Sequence, residues 1–441
     1  MKKFECPAPP MGWNSFDAFG SSVTEEQFKA NVDYIAEHLR DLGWEYAVID
    51  FCWSHPSPGA VANPDLEYDE TGKGSPDLCM DEYGRLLPHP GRFPSAADGR
   101  GFKPLADYVH SKGLKFGIHI MRGIPRNAVQ ADMPVKNSSA TAASIADPAS
   151  TCRWLNHMTG VDMTKEGAQD YYDSVFELYR SWDVDYIKAD DLTYLHPHPG
   201  LDPKDDQYAE AEIEGISRAL HKGDRPMVLS LSCGPTPLTR ADHVKTYSHM
   251  WRITLDFWDN WDALKELFYY ARCWMDKQEI HCWPDADMIP FGKISLCGPK
   301  GSPRYSGFTD EEKITLMSLL VMYRSPLMLG GNLPEIDDFS LNLLTNKEAL
   351  ELNQNGSGSR ELFNNGDLLI WVSEREKKRY LAFFNLGEKY SVSFIPAERS
   401  ELKNMLKNAP FGRDIWKEDL INLTESVSIQ PHSTLLLAIE K

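Results

Sequence analysis

Residues 168–191 read AQDYYDSVFELYRSWDVDYIKADD. The first part has the pattern of an amphipathic helix, a short turn follows, and Tyr186 and Ile187 begin an apolar run of the kind found in buried parallel strands. Lys188, Asp190 and Asp191 then break that run. Charged groups are costly to bury unless they are paired or used, so this strand end is marked as a place where chemistry is done.

The same unit of helix, turn and strand recurs along the chain. TEEQFKANVDYIAEHLRDLG carries a Thr24/Gln27 capping box, apolar residues at Phe28, Val32, Ile35, Leu39 and Leu42, and Gly43 as its stop, and it leads into WEYAVIDF. FKPLADYVHSKG leads into LKFGIHI, AEIEGISRALHKG into RPMVLSLS, and WDALKELFYYARCW into EIHCWPDAD. A strand near TYSHMWRI, the helix TDEEKITLMSLLVMY before SPLMLGG, and a first strand at PPMGWNS complete the series. About eight strands close a (β/α)₈ barrel, predicted here over residues 1–355. A doubly wound sheet would call for a GxGxxG or P-loop signature, and neither is present. Ser54 to Met80 and Met121 to Lys165 interrupt the repeat as long, weakly periodic loops at strand ends, where barrel enzymes build their sites. From residue 356 to 441 the pattern shifts to short alternating strands (DLLIWVSE, RYLAFFNL, YSVSFI, STLLLAI) with a turn at NNGD, which predicts an antiparallel β-sandwich domain.

Composition narrows the function. A chain of 441 residues with 42% hydrophobic content buries a large core, and a formal net charge of −19 disfavours nucleic acid and anionic membranes as partners. No apolar leader or run long enough to span a bilayer appears, so a cytoplasmic location is expected; a homo-oligomer is left open. The eight cysteines lack CxxC spacing, and His196 and His198 in HPHPG lack a third ligand at a defined spacing, so no metal and no cofactor is expected.

On a barrel strand Lys188 and Asp190 share one face, and the cation favours an ionised carboxylate, which suits a nucleophile. Asp50, His119, Arg252, Asp256, Asp285 and Asp287 lie at or near other strand ends. A pair of carboxylates with Trp13, Trp53 and Trp251 fits sugar hydrolysis, in which one acid protonates the leaving oxygen, a carboxylate attacks the anomeric carbon, and indoles stack on the sugar. Asp191 reads as a turn cap, Asp285 and Asp287 as supports behind the site, and Cys52 and Cys233 as unreactive thiols.

The stretches PPMGWNSF, YAVIDFCW, DEYGRLLPHPGRFPS, VDYIKADD, LSCG, WRITLD, WPDADM and SPLMLGGNLPEI, in this order and spacing, resemble glycoside hydrolase family 27, which contains α-galactosidases and α-N-acetylgalactosaminidases. The resemblance implies a (β/α)₈ barrel followed by an antiparallel β domain. It implies that Asp190 is the catalytic nucleophile and Asp256 the general acid/base, with Trp13, Asp50, Phe51, His119, Lys188 and Arg252 binding the sugar. Three positions depart from the galactosidases: Phe51 replaces the second of two aspartates, His119 replaces a tyrosine, and Gly234 replaces a glutamate, or the serine of the N-acetylgalactosaminidases.

The expected function is therefore a retaining exo-glycosidase acting on a terminal α-D-galactoside or a like-configured sugar. The alternatives are β-L-arabinopyranosidase or α-N-acetylgalactosaminidase on the same scaffold. Further off lie a metallohydrolase using Asp50, His119, Asp190 and Asp287 and a carbohydrate-binding protein without catalysis. Phe51 points toward the arabinopyranoside, because L-arabinopyranose has the ring configuration of galactose but lacks its hydroxymethyl group.

Overall fold

In the computed structural model, residues 6–56, 78–152, 157–194, 207–297 and 300–441 are described; His196, His198 and most of the Ser54 to Met80 loop lie outside them. The repeated unit forms eight parallel strands: β1 Met11–Asn14, β2 Tyr46–Ile49, β3 Lys115–Met121, β4 Tyr186–Asp190, β5 Val228–Leu231, β6 Met250–Arg252, β7 Trp283–Asp285 and β8 Leu327–Leu329. They are ordered β7-β6-β5-β4-β3-β2-β1-β8, and a ninth short strand, Met288–Ile289, pairs with β8. Trp283–Asp285 and Met288–Ile289 are two halves of one interrupted strand. The first half bonds to β6 and the second to β8, which closes the sheet into a (β/α)₈ barrel.

The outer layer is formed by helices α1 Glu25–His38, α2 Lys103–Ser111, α3 Ala168–Ser181, α4 Glu210–His221, α5 Ala241–Tyr247, α6 Trp261–Trp274 and α7 Asp310–Tyr323. The Thr24/Gln27 capping box opens α1 as its sequence predicts. Inside the barrel, Tyr46, Val48, Tyr186, Val228, Met250, Trp283, Met288 and Met328 pack together as an apolar floor. The register sets polar residues above it, with His119 opposite Lys188, Met121 opposite Asp190, and Arg252 opposite Asp285. The stretch from Met121 to Lys165 is more ordered than its weak periodicity implies, since Ile124–Pro125, Met158–Val161 and Ala146–Thr151 form a three-stranded sheet of their own.

Helix α8, Lys347–Asn355, leads into a six-stranded antiparallel sheet. Its strands are β9 Ser357–Asn364, β10 Leu368–Arg375, β11 Lys378–Asn385, β12 Phe411–Asp414, β13 Leu420–Asn422 and β14 Thr434–Glu440. Period-two alternation gives this sheet two apolar faces. Trp371, Tyr380, Ala382, Phe384 and Leu436 join the barrel core, while Ile370, Val372, Leu381, Phe383 and Leu437 form a second core. Helix α7, buried on every side from Thr315 to Tyr323, lies between barrel and sheet, with Thr315 donating to the His432 carbonyl at 2.7 Å and Trp416 donating to Ser318 Oγ at 2.8 Å. No helix among the described residues is long and apolar enough to cross a membrane.

Candidate active site

The residues that interrupt the apolar strands meet at the C-terminal end of the barrel. On β4, Lys188 and Asp190 point inward as the two-residue period requires. Lys188 Nζ lies 2.9 Å from Asp50 Oδ2, and Asn14 Nδ2 donates to the same oxygen at 2.8 Å. Asp190 accepts from His119 Nε2 at 2.9 Å on Oδ2 and from the Asp191 amide at 2.6 Å on Oδ1. Burial opposes the charge on Asp190, but the His119 bond and charge and the nearby Lys188 outweigh it and hold the carboxyl well below the usual carboxylate range. Burial likewise opposes ionisation of Asp50, and Lys188 and His119 hold its carboxyl low.

Across the barrel, Arg252 is buried between two acids. Its Nη1 lies 2.8 Å from Asp287 Oδ1 and its Nη2 3.0 Å from Asp256 Oδ1. The Asp256 side chain is 64% exposed, in contrast to buried Asp190. One carboxylate is thus dry and charged, and the other is open to solvent. Behind them, burial and Asp287 push the Asp285 carboxyl up to about 7 against the pull of Arg252. The site therefore receives Asp50, Phe51, His119, Lys188, Asp190, Arg252 and Asp256.

Trp13 is the exception among the expected sugar-binding residues. It is fully buried outside the barrel wall, against Phe19 and Phe28, with its indole N–H on the Gly331 carbonyl. Trp53 and Trp251 are turned the same way, into Phe102 with Trp182 and into Trp274 respectively. Phe16, on the single helical turn Phe16–Phe19 that follows β1, reaches the site beside Phe51. Its ring lies 5.5 Å from that of Phe51 and 6.4 Å from that of Trp258, with Lys188 Nζ 5.8 Å from its centroid. The signal was in the motif GWNSF: Gly12 and Asn14 face the barrel axis and Phe16 continues that side, whereas Trp13 faces the helices. Beside Phe16, the Asp17 carboxyl is buried and pushed well above its usual range by burial and by Asp287.

Two other expectations change. Asp191 is no turn cap: it is buried in an ion pair with Arg122 at 2.9 Å. The three acids and the histidine of the metallohydrolase alternative do not assemble as ligands, because Lys188 and Arg252 occupy the spaces between the carboxylates and would repel a divalent ion. Gly234 leaves no room for a side chain, since a Cβ there would sit 2.3 Å from the Thr254 carbonyl oxygen. The expectation for the thiols agrees with their surroundings, in which burial pushes both Cys52 and Cys233 up and away from the reactive thiolate.

A barrel with two carboxylates of unlike environment at its catalytic end, flanked by cations and aromatic rings above an apolar floor, has the parts of a glycoside hydrolase. Residues 157–355 match the Melibiase_2 family, described as alpha galactosidase A. A family 27 β-L-arabinopyranosidase from Geobacillus stearothermophilus, solved in complex with arabinose, is 41% identical with a TM-score of 0.90, covering 99% of this chain and 98% of its own. A Bacillus halodurans structure provisionally labelled α-N-acetylgalactosaminidase is 40% identical with a TM-score of 0.81, covering 98% and 97%. Alpha-galactosidase 2 of Arabidopsis thaliana is 25% identical over 98% of this chain and 90% of its own. The chain belongs to glycoside hydrolase family 27, and it is a retaining glycosidase of the α-galactosidase type.

Proposed function

We propose that this enzyme releases terminal L-arabinopyranose from β-L-arabinopyranosides, with Asp190 as nucleophile and Asp256 as general acid and base. In the first step an Asp190 oxygen bonds to the anomeric carbon while the glycosidic C–O bond breaks and Asp256 gives its proton to the departing oxygen. In the second, Asp256 takes a proton from water, the water oxygen bonds to the anomeric carbon, and Asp190 leaves. The ionised, dry setting of Asp190 suits attack, and the exposure of Asp256 suits exchange with leaving group and water.

The observation that carries the choice of sugar is the setting of Phe51. Its ring packs with Phe16, Cys52, Met121, Cys152 and Met158 in an apolar cluster directly after Asp50. A hydroxymethyl group facing that cluster would bury its hydroxyl without a partner, at about 1–3 kcal/mol. A pentopyranose has no such group to bury. The neighbour solved with arabinose supports the same reading. One observation favours the galactoside instead: His119, with its ring 5.6 Å from Phe51, has a buried Nδ1 without a hydrogen-bond partner, which is able to pair with the hydroxyl of a hydroxymethyl group.

Parallel assays on aryl β-L-arabinopyranoside, α-D-galactoside and N-acetyl-α-D-galactosaminide test the reading. The arabinoside is expected to have the highest kcat/KM by roughly tenfold or more, and Phe51→Asp is expected to raise the galactoside to arabinoside ratio. A galactoside preference in the wild type, or an unchanged ratio in Phe51→Asp, would overturn the assignment.

A further inference from the structure

Asp191, the second acid of the pair that ends β4, is in the left-handed backbone region at φ 61°, which residues bearing a Cβ seldom adopt without support. At the head of this turn the Asp191 amide, in one peptide unit with the Asp190 carbonyl, points back to the preceding side chain and donates to Asp190 Oδ1. The support comes from Arg122, just past the end of β3. Its backbone N–H donates to the Asp190 carbonyl at 3.1 Å. Its Nε lies 2.7 Å from the Asp191 carbonyl oxygen and 2.9 Å from Asp191 Oδ2.

Arg122 is itself fixed from behind. Its Nη1 lies 2.9 Å from Glu212 Oε1 on α4 and donates to Ser150 Oγ at 2.9 Å. Glu212 in turn accepts from the Tyr172 hydroxyl on α3 and from the Val161 amide. Arg122, Asp191 and Glu212 are all buried. Taking three charges out of water is costly, and apolar side chains of similar volume would hold two loops together at least as well. What apolar packing cannot supply is directed donors, and here the guanidinium Nε ends on the Asp191 carbonyl and carboxylate while the Arg122 backbone N–H holds the Asp190 carbonyl.

We propose that Arg122 is the positioning residue for the nucleophile: it grips residue 191 in its left-handed turn, so that the amide of that residue stays aimed at the Asp190 carboxylate. Asp191 is the handle by which the grip is made. The proposal rests on Asp190 being the nucleophile, and it separates two effects that usually travel together, the loss of an ion pair and the loss of a backbone conformation.

Asp191→Ala and Asp191→Gly both remove the ion pair, but only glycine adopts a positive φ without strain. On an aryl β-L-arabinopyranoside, Asp191→Ala is expected to lower kcat about tenfold or more with KM little changed, because Asp50 and Lys188 still hold the sugar. Asp191→Gly is expected to stay within about threefold of the wild type. Equal losses in the two variants would overturn the proposal. Circular dichroism and thermal melts establish that each variant is folded. Should the alanine variant not fold, Arg122→Lys carries the test: a single ammonium cannot reproduce the planar, multi-donor geometry of the guanidinium, so kcat is again expected to fall with KM held, and an unchanged kcat would overturn the idea. Azide with Asp190→Ala distinguishes a failure of the underlying reading. Restored turnover to a glycosyl azide upholds Asp190 as nucleophile whatever residue 191 does, and full activity without azide removes both claims.

Discussion

At the scale of single residues, the bond from His119 to Asp190 decides how far into acid the carboxylate stays charged. The groups facing Asp190 are His119 from β3, Lys188 from its own strand, the Asp191 amide, and Cys233 beyond β5. A carboxylate whose pKa is depressed by partners is lost as pH falls through that lowered value, so removing a partner moves the loss to higher pH. His119→Phe is therefore expected to raise the pH at which kcat/KM begins to fall on the acid side. A hydrogen bond to a charged group contributes roughly 1.5–3 kcal/mol, so kcat/KM should also drop roughly ten- to hundredfold; an unmoved acid side would show that this bond does not control the charge. Asp190 and Asp256 separate by leaving group. Asp256→Ala is expected to spare aryl glycosides whose phenols depart without a proton, and Asp190→Ala to abolish turnover on all of them. An equal response of the two variants to leaving-group acidity would refute the division of roles.

At the scale of elements, α7 joins the barrel to the C-terminal sheet. It opens with a Thr309/Glu312 capping box, and nearly every residue from Thr315 to Tyr323 is buried. Trp371 on β10 lies edge-on to Phe268 of α6 at 6.3 Å, and Phe268 to Phe384 of β11 at 4.8 Å, so one aromatic cluster spans both layers. Trp371→Ala is expected to cost about 3–5 kcal/mol. Because the cluster is shared, barrel and sheet are expected to melt in one transition. Calorimetry checks this, and two separate transitions in the wild type would show that the shared core does not couple them.

For the whole molecule, the acids within the barrel set a slope of stability against pH. Asp285 is a carboxyl whose folded value, about 7, lies above its unfolded one. Between the two values the unfolded chain has released the proton that the folded chain retains, so stability falls as pH rises from about 4 to about 7. Asp285→Asn keeps an oxygen to accept the Asp287 amide, which now bonds to Asp285 Oδ1 at 3.0 Å, but it cannot ionise. It is expected to flatten this decline and to raise Tm at pH 8 more than at pH 5. Equal shifts at both pH values would place the cost elsewhere.

Periodicity is a local property, and the features that depend on it were legible in the residue order. The helix and strand repeat, the capping box of α1, the alternation of β10 and β11, and the placing of Lys188 and Asp190 on one face all follow from neighbours a few positions apart. Which aromatic of GWNSF enters the site depended on which side of β1 faces the axis. A tryptophan in GWNSF draws attention by its type, yet the barrel turns Trp13 outward and brings in Phe16. Closure of the barrel by the two halves of an interrupted strand, Trp283–Asp285 and Met288–Ile289, has no local signal, because each half answers to a different partner strand. Asp191 shows the same limit most sharply. Its neighbours in sequence mark it as a turn residue, and its ion pair with Arg122 joins positions 69 apart along the chain. Burial and charge pairing are decided by what the fold brings alongside, so only the tertiary structure could turn the second aspartate of KADD from a cap into a support of the first.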